Sequence, residues 1–403
     1  MRFVYVGIDA AKDRHVAEAR DRGGNVLLPA FSFSADLEGI EELLSRVTRI
    51  AEKLEATPLF GMEATGIYHL GLYAELKKRG FHVRVYNPLQ LRAFRKKSIR
   101  KTITDKTSCS ALAEMLRYDT IPAERKIPPE VLKLREYCRA RHRLVKKLRV
   151  AKTQLRRDVS IVFKGYEHVF RRLTCRSSKR LLRQCPTPRQ VLELGAARIE
   201  EILREEGDVQ ARKKARRLVS EASRAAREEA LVEPCVYETR MLLQEIEHLE
   251  AQLRRLESEI ERLFSAFEES RLYTSVKGVS MVTGAVIFSN FGSLRDFPHP
   301  DKAVAFAGLD PSVVESGRFK GGWRHLSKRG SPYLRQALYQ AANAAVHFNP
   351  VLAAVYRRKR RQGLSHRAAV CVAARKLVHV LHSVVVNGMA FHVPSQMKEK
   401  ASS

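Results

Sequence analysis

Short apolar runs rich in β-branched and aromatic residues alternate with polar stretches over the first ninety residues. They predict strands at 3–8, 15–19 and 25–33. The intervening stretches are turn-like, so an antiparallel meander is expected. Ser34 is placed to cap a helix whose apolar face is Leu37, Ile40, Leu44 and Val47. A strand at 58–63 follows, then a helix that begins after Thr65, carries Tyr68, Leu72 and Leu76, and closes on Gly80 as a left-handed cap. A strand at 81–86 ends at Asn87-Pro88, and a further helix is predicted over 104–116.

The order β-β-β-α-β-α-β, completed by that last helix, is the layout of an α/β ribonuclease-H-like domain. Beyond it, residues 128–163 read as one long helix loaded with cations, Arg139, Arg143, Lys146 and Lys147 among them. More basic clusters follow at 171–183 and 212–217. Leu242, Ile246, Leu249, Leu253, Leu256, Ile260 and Leu263 alternate at spacings of four and three, a heptad seam. Such a coiled-coil stripe packs against the earlier long helix as an antiparallel hairpin or against another chain, and about three heptads leave both open. The rest, 273–393, is mostly helical. The expected division is 1–120 for the carboxylate domain, 121–268 for the basic helical and coiled-coil middle, 269–395 for a mostly α C-terminal domain, and 396–403 for a mobile tail.

Charge sharpens this picture. The 403 residues hold 74 Lys plus Arg against 44 Asp plus Glu, a net charge of +30, so phosphate polyanions are the natural counter-surface. A 44% hydrophobic content is enough for sizeable cores and argues against wholesale disorder. The six cysteines are scattered with no close pair, which indicates neither a zinc site nor a disulfide framework. No signal-like segment opens the chain, and the apolar stretch at 384–391 is too short to span a bilayer, so no membrane and a cytoplasmic, nucleoid-associated location are expected.

Candidate chemistry sits at the element ends. Asp9 ends the first strand, Glu63 ends the fourth, and Asp105 opens the late helix; in the expected fold they converge. Carboxylates so held bind Mg²⁺ pairs that clamp a phosphodiester in line, the alternative being three unrelated structural acids. Residues 277–287, KGVSMVTGAVI, look like a helix-hairpin-helix in which Lys277 and Gly278 approach a DNA phosphate; a tight turn between two packed helices is the alternative.

The wording of these segments carries more than their spacing. GIDAAKD, GMEATGIYHLGLYAELKKRGFHVRVYNP and RKKSIRKTITDKTSCSALAEML resemble the acidic, RuvC-like domain of the insertion-sequence 110 family of transposases. VKGVSMVTGAVIFSNFG and FPHPDKAVAFAGLDPSVVESGRFKGGWRHLSKRGSPYLRQALYQAA are similar to its C-terminal half. The resemblance implies that Asp9, Glu63 and Asp105 bind Mg²⁺ and that Ser316, followed by Gly317, is a nucleophile forming a serine–DNA link that conserves bond energy for rejoining. Ser327 is a second candidate. Arg318, Lys320, Arg324, His325, Lys328, Arg329 and Arg335 supply positive charge around them.

The family carries a second aspartate three residues after the first on the late helix, where this chain has Ser108. Ser108 is a weaker, neutral metal ligand, with Asp13 or Glu114 as possible compensation and weakened catalysis as the expectation. The resemblance also implies DNA element ends and targets, a structured non-coding guide RNA, and a homo-oligomer, dimer or tetramer, as partners. A hydrolytic junction resolvase and an inactive nucleic-acid-binding homologue are the competing readings.

Overall fold

The computed structural model describes residues 2–64, 67–86, 88–95, 105–118, 127–225, 229–311, 315–316, 319–320 and 326–393; of these, the side chains at 89, 90, 93, 105, 106, 229, 230, 315, 316, 319 and 320 are not described. It divides into two compact units, Met1–Lys126 and Ile127–Ser403. The expected tail at 396–403 lies outside the described residues.

The first unit opens with β1 (Arg2–Asp9), β2 (Arg14–Arg20) and β3 (Val26–Ser34), the expected meander. Next come α1 (Leu37–Lys53), β4 (Ala56–Glu63), α2 (His69–Lys78), β5 (His82–Tyr86), α3 (Pro88–Arg95) and α4 (Asp105–Tyr118). One mixed sheet results, in the order β3-β2-β1-β4-β5: β2 runs antiparallel to β1 and β3, while β4 is parallel to both β1 and β5. The period of two sorts the side chains. Val4, Val6, Ile8, Phe60 and Met62 join Ile40, Leu43 and Leu72 in one core, while Tyr5, Leu59 and Tyr86 face Leu112, Met115 and Leu116 of α4 on the other side.

Several details differ from expectation. Helix α2 starts at His69, so Tyr68 stands exposed just before it and is not on the buried face with Leu72 and Leu76. Asp36, not Ser34, caps α1: its carboxylate accepts from the Gly39 N–H at 2.9 Å, and Ser34 donates its hydroxyl to Asp36. Leu37 is exposed, whereas Leu43 and Ala51 complete the buried face. Helix α3 was not anticipated, because Asn87-Pro88 reads as a stop; proline at the first helical position equally well starts a helix.

The second unit begins with α5 (Pro129–Val162), followed by α6 (Tyr166–Val169), α7 (Arg176–Gln184), α8 (Pro188–Glu205), α9 (Ala211–Ser223) and α10 (Glu229–Ser265). After them come α11 (Glu269–Ser275), α12 (Met281–Phe291), α13 (Pro300–Ala307), the short strands β6 (Glu315–Ser316) and β7 (Phe319–Lys320), and α14 (Pro332–Phe348), α15 (Pro350–Arg361) and α16 (His366–Asn387).

Ion pairs fix how α5 meets α10. Arg141 pairs with Glu257 at 2.6 Å and Lys152 with Glu250 at 2.7 Å, so the partner number falls as the α5 number rises. The heptad seam is therefore one side of an antiparallel hairpin within the chain, and it no longer argues for an oligomer. Leu242, Ile246 and Leu249 pack with Leu148, Ala151 and Leu155 in one core; Ile260 and Phe264 join Val131, Leu134 and Cys138 in the core of α11 to α16. This hairpin puts the expected middle and C-terminal segments into one unit.

The expectation about the apolar C-terminus also changes. Helix α16 spans 22 residues and is long and apolar enough, by length and composition, to cross a bilayer. Here Val370, Leu377, Val378, Leu381 and Val385 are buried in the core of the second unit. The sequence hid its length because Arg367, Arg375 and Lys376 interrupt the apolar run.

Candidate functional site: a carboxylate pair and a serine hairpin

Strand register brings the first two carboxylates together. β1 and β4 pair in parallel as Gly7 with Gly61 and Ile8 with Met62, so the next residues, Asp9 and Glu63, end neighbouring strands about 4.8 Å apart. Two residues beyond the glycines, both side chains fall on the α4 face. Hydrogen bonds fix the chain just past each acid. Ala64 N–H donates to the Tyr86 carbonyl at 2.9 Å, and Ala11 N–H donates to His15 Nδ1 at 3.2 Å. Burial lowers the His15 pKa, consistent with a neutral ring accepting that bond. Nothing in the isolated sequence marked His15 for this task.

Helix α4 reaches the strand ends because Gly7 and Gly61 lack side chains. A methyl group at Gly7 would collide with the Cys109 carbonyl and the Ala113 amide; one at Gly61 would lie 2.6 Å from Leu116 Cδ1. The stripe 108, 109, 112, 113, 116 thus faces the sheet, and helical spacing puts position 105 on it one turn further out. The Asp105 side chain lies outside the described residues. Ser108 is buried on this stripe, 5% exposed. The Cys109 thiol is pushed up to about 12, first by burial and then by the negative charges of Glu18 and Asp9, which puts Asp9 electrostatically close to the first turns of α4.

Glu114 does not stand in for the missing aspartate. It accepts from Arg20 at 2.8 Å and from Arg117 at 2.6 Å, while Arg20 also holds Glu18 at 2.6 Å and Ser110 at 2.8 Å. This half-buried network tethers α4 to β2. At Asp13 the backbone carbonyl accepts from Ala35 N–H at 3.1 Å, a bond that fixes the main chain and does not involve the carboxylate. Among the described residues no group of three or more His, Cys, Asp or Glu is arranged to hold a metal ion. The donor chemistry of Asp9 and Glu63, two adjacent oxygen ligands, fits a hard divalent cation.

In the second unit Ser316 lies in β6, opposite Phe319 of β7. The hairpin has a locked base. Pro311 bridges to Leu326, Ser327 N–H donates to the Asp310 carbonyl at 2.9 Å, and the Ser327 hydroxyl donates to the Asp310 carboxylate. Lys328 holds a left-handed φ of 53°, its N–H donating to the Gly308 carbonyl at 3.1 Å and its carbonyl accepting from Arg335 at 3.1 Å. A methyl at Gly330 would strike the Phe306 carbonyl, so this loop lies directly on the end of α13. The Ser327 hydroxyl is thus engaged at the base of the hairpin. Gly317, Arg318, Arg324 and His325 lie outside the described residues, as do the side chains of Ser316 and Lys320.

Several of the candidate cations and their neighbours meet carboxylates. Arg139 pairs with Glu136 at 2.6 Å, and Arg141, Lys152 and Arg156 also meet carboxylates. Arg143, Lys146 and Lys147 are exposed, as are Lys277, Lys328 and Arg329. Gly278 has a φ of 104°, and a methyl there would lie 2.5 Å from Ala345 Cα of α14. The face that a Cβ would occupy therefore packs on α14, as in a tight turn between packed helices.

The first unit is thus an α/β unit with two acids at neighbouring strand ends, and the second is a helical unit with a serine in a short hairpin. Residues 6–164 match a family model described as a transposase, of the DEDD type of IS110, and residues 270–357 match that of the transposase IS116/IS110/IS902 family. The chain belongs to this family of transposases, enzymes that cut and rejoin DNA. It is 26% identical over 394 residues to an insertion element IS116 protein of Streptomyces clavuligerus, covering 95% of this chain and 94% of that one. With an insertion element IS900 protein of Mycobacterium paratuberculosis it shares 25% identity over 96% of this chain and 97% of the other. An insertion element IS110 protein of Streptomyces coelicolor is 28% identical over 52% of this chain and 51% of its own length.

Proposed function

We propose that this transposase cuts and rejoins the DNA of its element through Ser316, with a ribonuclease-H-like first unit whose Asp9, Glu63 and Asp105 hold Mg²⁺. The observation that carries this reading is the register that sets Asp9 beside Glu63 on the α4 face, inside a chain matched at both ends by transposase models. Bound there, Mg²⁺ supplies positive charge to a phosphate and lowers the charge barrier to nucleophilic attack. The strand order and the helices between β3, β4 and β5 support the fold reading. Exposed Arg143, Lys146 and Lys147 support a structured non-coding RNA as partner, gripped through its backbone. DNA as substrate makes a nucleoid-associated location the natural one.

The test incubates the full chain with Mg²⁺, the flanking non-coding RNA and labelled element-end DNA, and resolves products on a denaturing gel. Asp9→Asn keeps the shape but removes the charge, and should lower Mg²⁺-dependent cleavage by roughly 10³-fold, the scale of losing one key electrostatic group. Cleavage within tenfold of the unsubstituted chain would remove Asp9 from the site. Ser108→Asp restores a carboxylate on the stripe facing Asp9; the half-saturating Mg²⁺ concentration should fall by roughly tenfold or more. An unchanged Mg²⁺ titration would mean that Ser108 is not a ligand position, and activity appearing only in this variant would mark the chain as a crippled member.

A further inference from the structure

The net charge of +30 is not spread evenly. Between Ser316 and Lys398 there is no Asp or Glu at all, so helices α14, α15 and α16 contain no acidic residue. Cations in the middle of the chain are interleaved with carboxylates and many are paired. Five stand in a row at the end of α15: Arg357, Arg358, Lys359, Arg360 and Arg361. The run starts where the match to the C-terminal family model stops, at residue 357.

Geometry turns the run into a surface. At 100° per residue, Arg360, Arg357, Arg361 and Arg358 follow one another around an arc of roughly 160° of the helix, and Lys359 falls opposite. The four arginines are exposed, and Lys359 is half-buried. No residue of the run has a carboxylate partner among the described residues. Cations in a last turn favour the helix dipole, but that needs one or two charges, not five. The platform is held in place. Lys359 donates to Gln362 at 2.9 Å, Arg360 to the Leu364 carbonyl at 2.6 Å, and Tyr356 bonds His366 at 2.8 Å. Leu352 and Tyr356 of α15 share a core with Leu309, Leu326 and Leu334, which flank the Ser316 hairpin.

We infer that Arg357, Arg358, Arg360 and Arg361 grip backbone phosphates of duplex DNA, holding it in the same packed unit as Ser316; the inference rests on the reading of this chain as a DNA-cutting transposase. A helix about 10–12 Å across, with arginines on both flanks, fits the roughly 12 Å major groove of B-form DNA. The deep, narrow major groove of A-form RNA excludes it.

The experiment measures binding of an element-end DNA duplex and of an RNA duplex of equal length across a salt series. It uses the Ser316→Ala chain, so that failure of the serine reading, seen as a missing adduct in the unsubstituted chain, leaves binding measurable. Replacing the four arginines by alanine should weaken DNA binding at least tenfold at low salt. The same variant should flatten the slope of log affinity against log salt by about three to four, near 0.9 per lost phosphate contact. Four lysines at the same positions should restore the slope, which excludes misfolding as the cause. Unchanged DNA affinity and slope, or a loss equal or greater on RNA, would overturn the proposal.

Discussion

Ser316→Ala should abolish the covalent protein–DNA adduct completely, with strand rejoining lost by at least about 10⁴-fold, as when other serine nucleophiles are removed. In the proposed step the Ser316 hydroxyl loses its proton as its oxygen forms a new bond to phosphorus, the bond from phosphorus to one sugar oxygen breaks, and the leaving sugar oxygen gains a proton to become a hydroxyl, so protons balance. The phosphoserine diester keeps the energy of the broken bond, so rejoining is the same exchange in reverse. Alanine offers no oxygen. Ser327→Ala is the informative partner variant: its hydroxyl is already donated to Asp310, so the adduct should persist on Ser316, at reduced yield if the hairpin base loosens. Cleavage without adduct that survives Ser316→Ala would hand the chemistry to water, as in a junction resolvase.

Gly7→Ala should destabilise the first unit by about 3 kcal/mol or more, because the added methyl meets backbone atoms of Cys109 and Ala113 that no side-chain rotation can clear. The helix must lift off the sheet, drawing Ser108 and position 105 away from Asp9. Gly61→Ala meets first the flexible Leu116 side chain and should cost about 1 kcal/mol. Thermal unfolding of both variants gives the comparison, and a Mg²⁺ titration of the refolded Gly7→Ala chain should show weakened binding. Equal, small losses in the two variants would mean that α4 does not rest on the β1 backbone as described.

Much of the fold was legible because local patterns suffice for it. The meander, the left-handed Gly80 and the long basic helix follow from periodicity and turn chemistry, and each sits within a residue or two of its expected place. Errors came where two signals compete over a few residues: Ser34 and Asp36 are both good caps, and Asn87-Pro88 both ends a strand and starts a helix. His15, the Arg20 network and the Ser327–Asp310 tie were not legible, since each depends on a partner distant in sequence or on a chain reversal.

By itself the sequence determined that acids stand at strand ends, that a serine stands in a glycine-containing loop, and that a large positive charge needs a polyanion. Tertiary structure alone decided the rest. It set Asp9 beside Glu63, because strand pairing adds a distance that chain order lacks. It gave the heptad seam to α5, since only the hairpin shows which helix covers those leucines. It also showed which cations meet carboxylates, and left the arginines of α15 without a carboxylate partner among the described residues, because charge neutralisation is a matter of neighbours in space, not of composition.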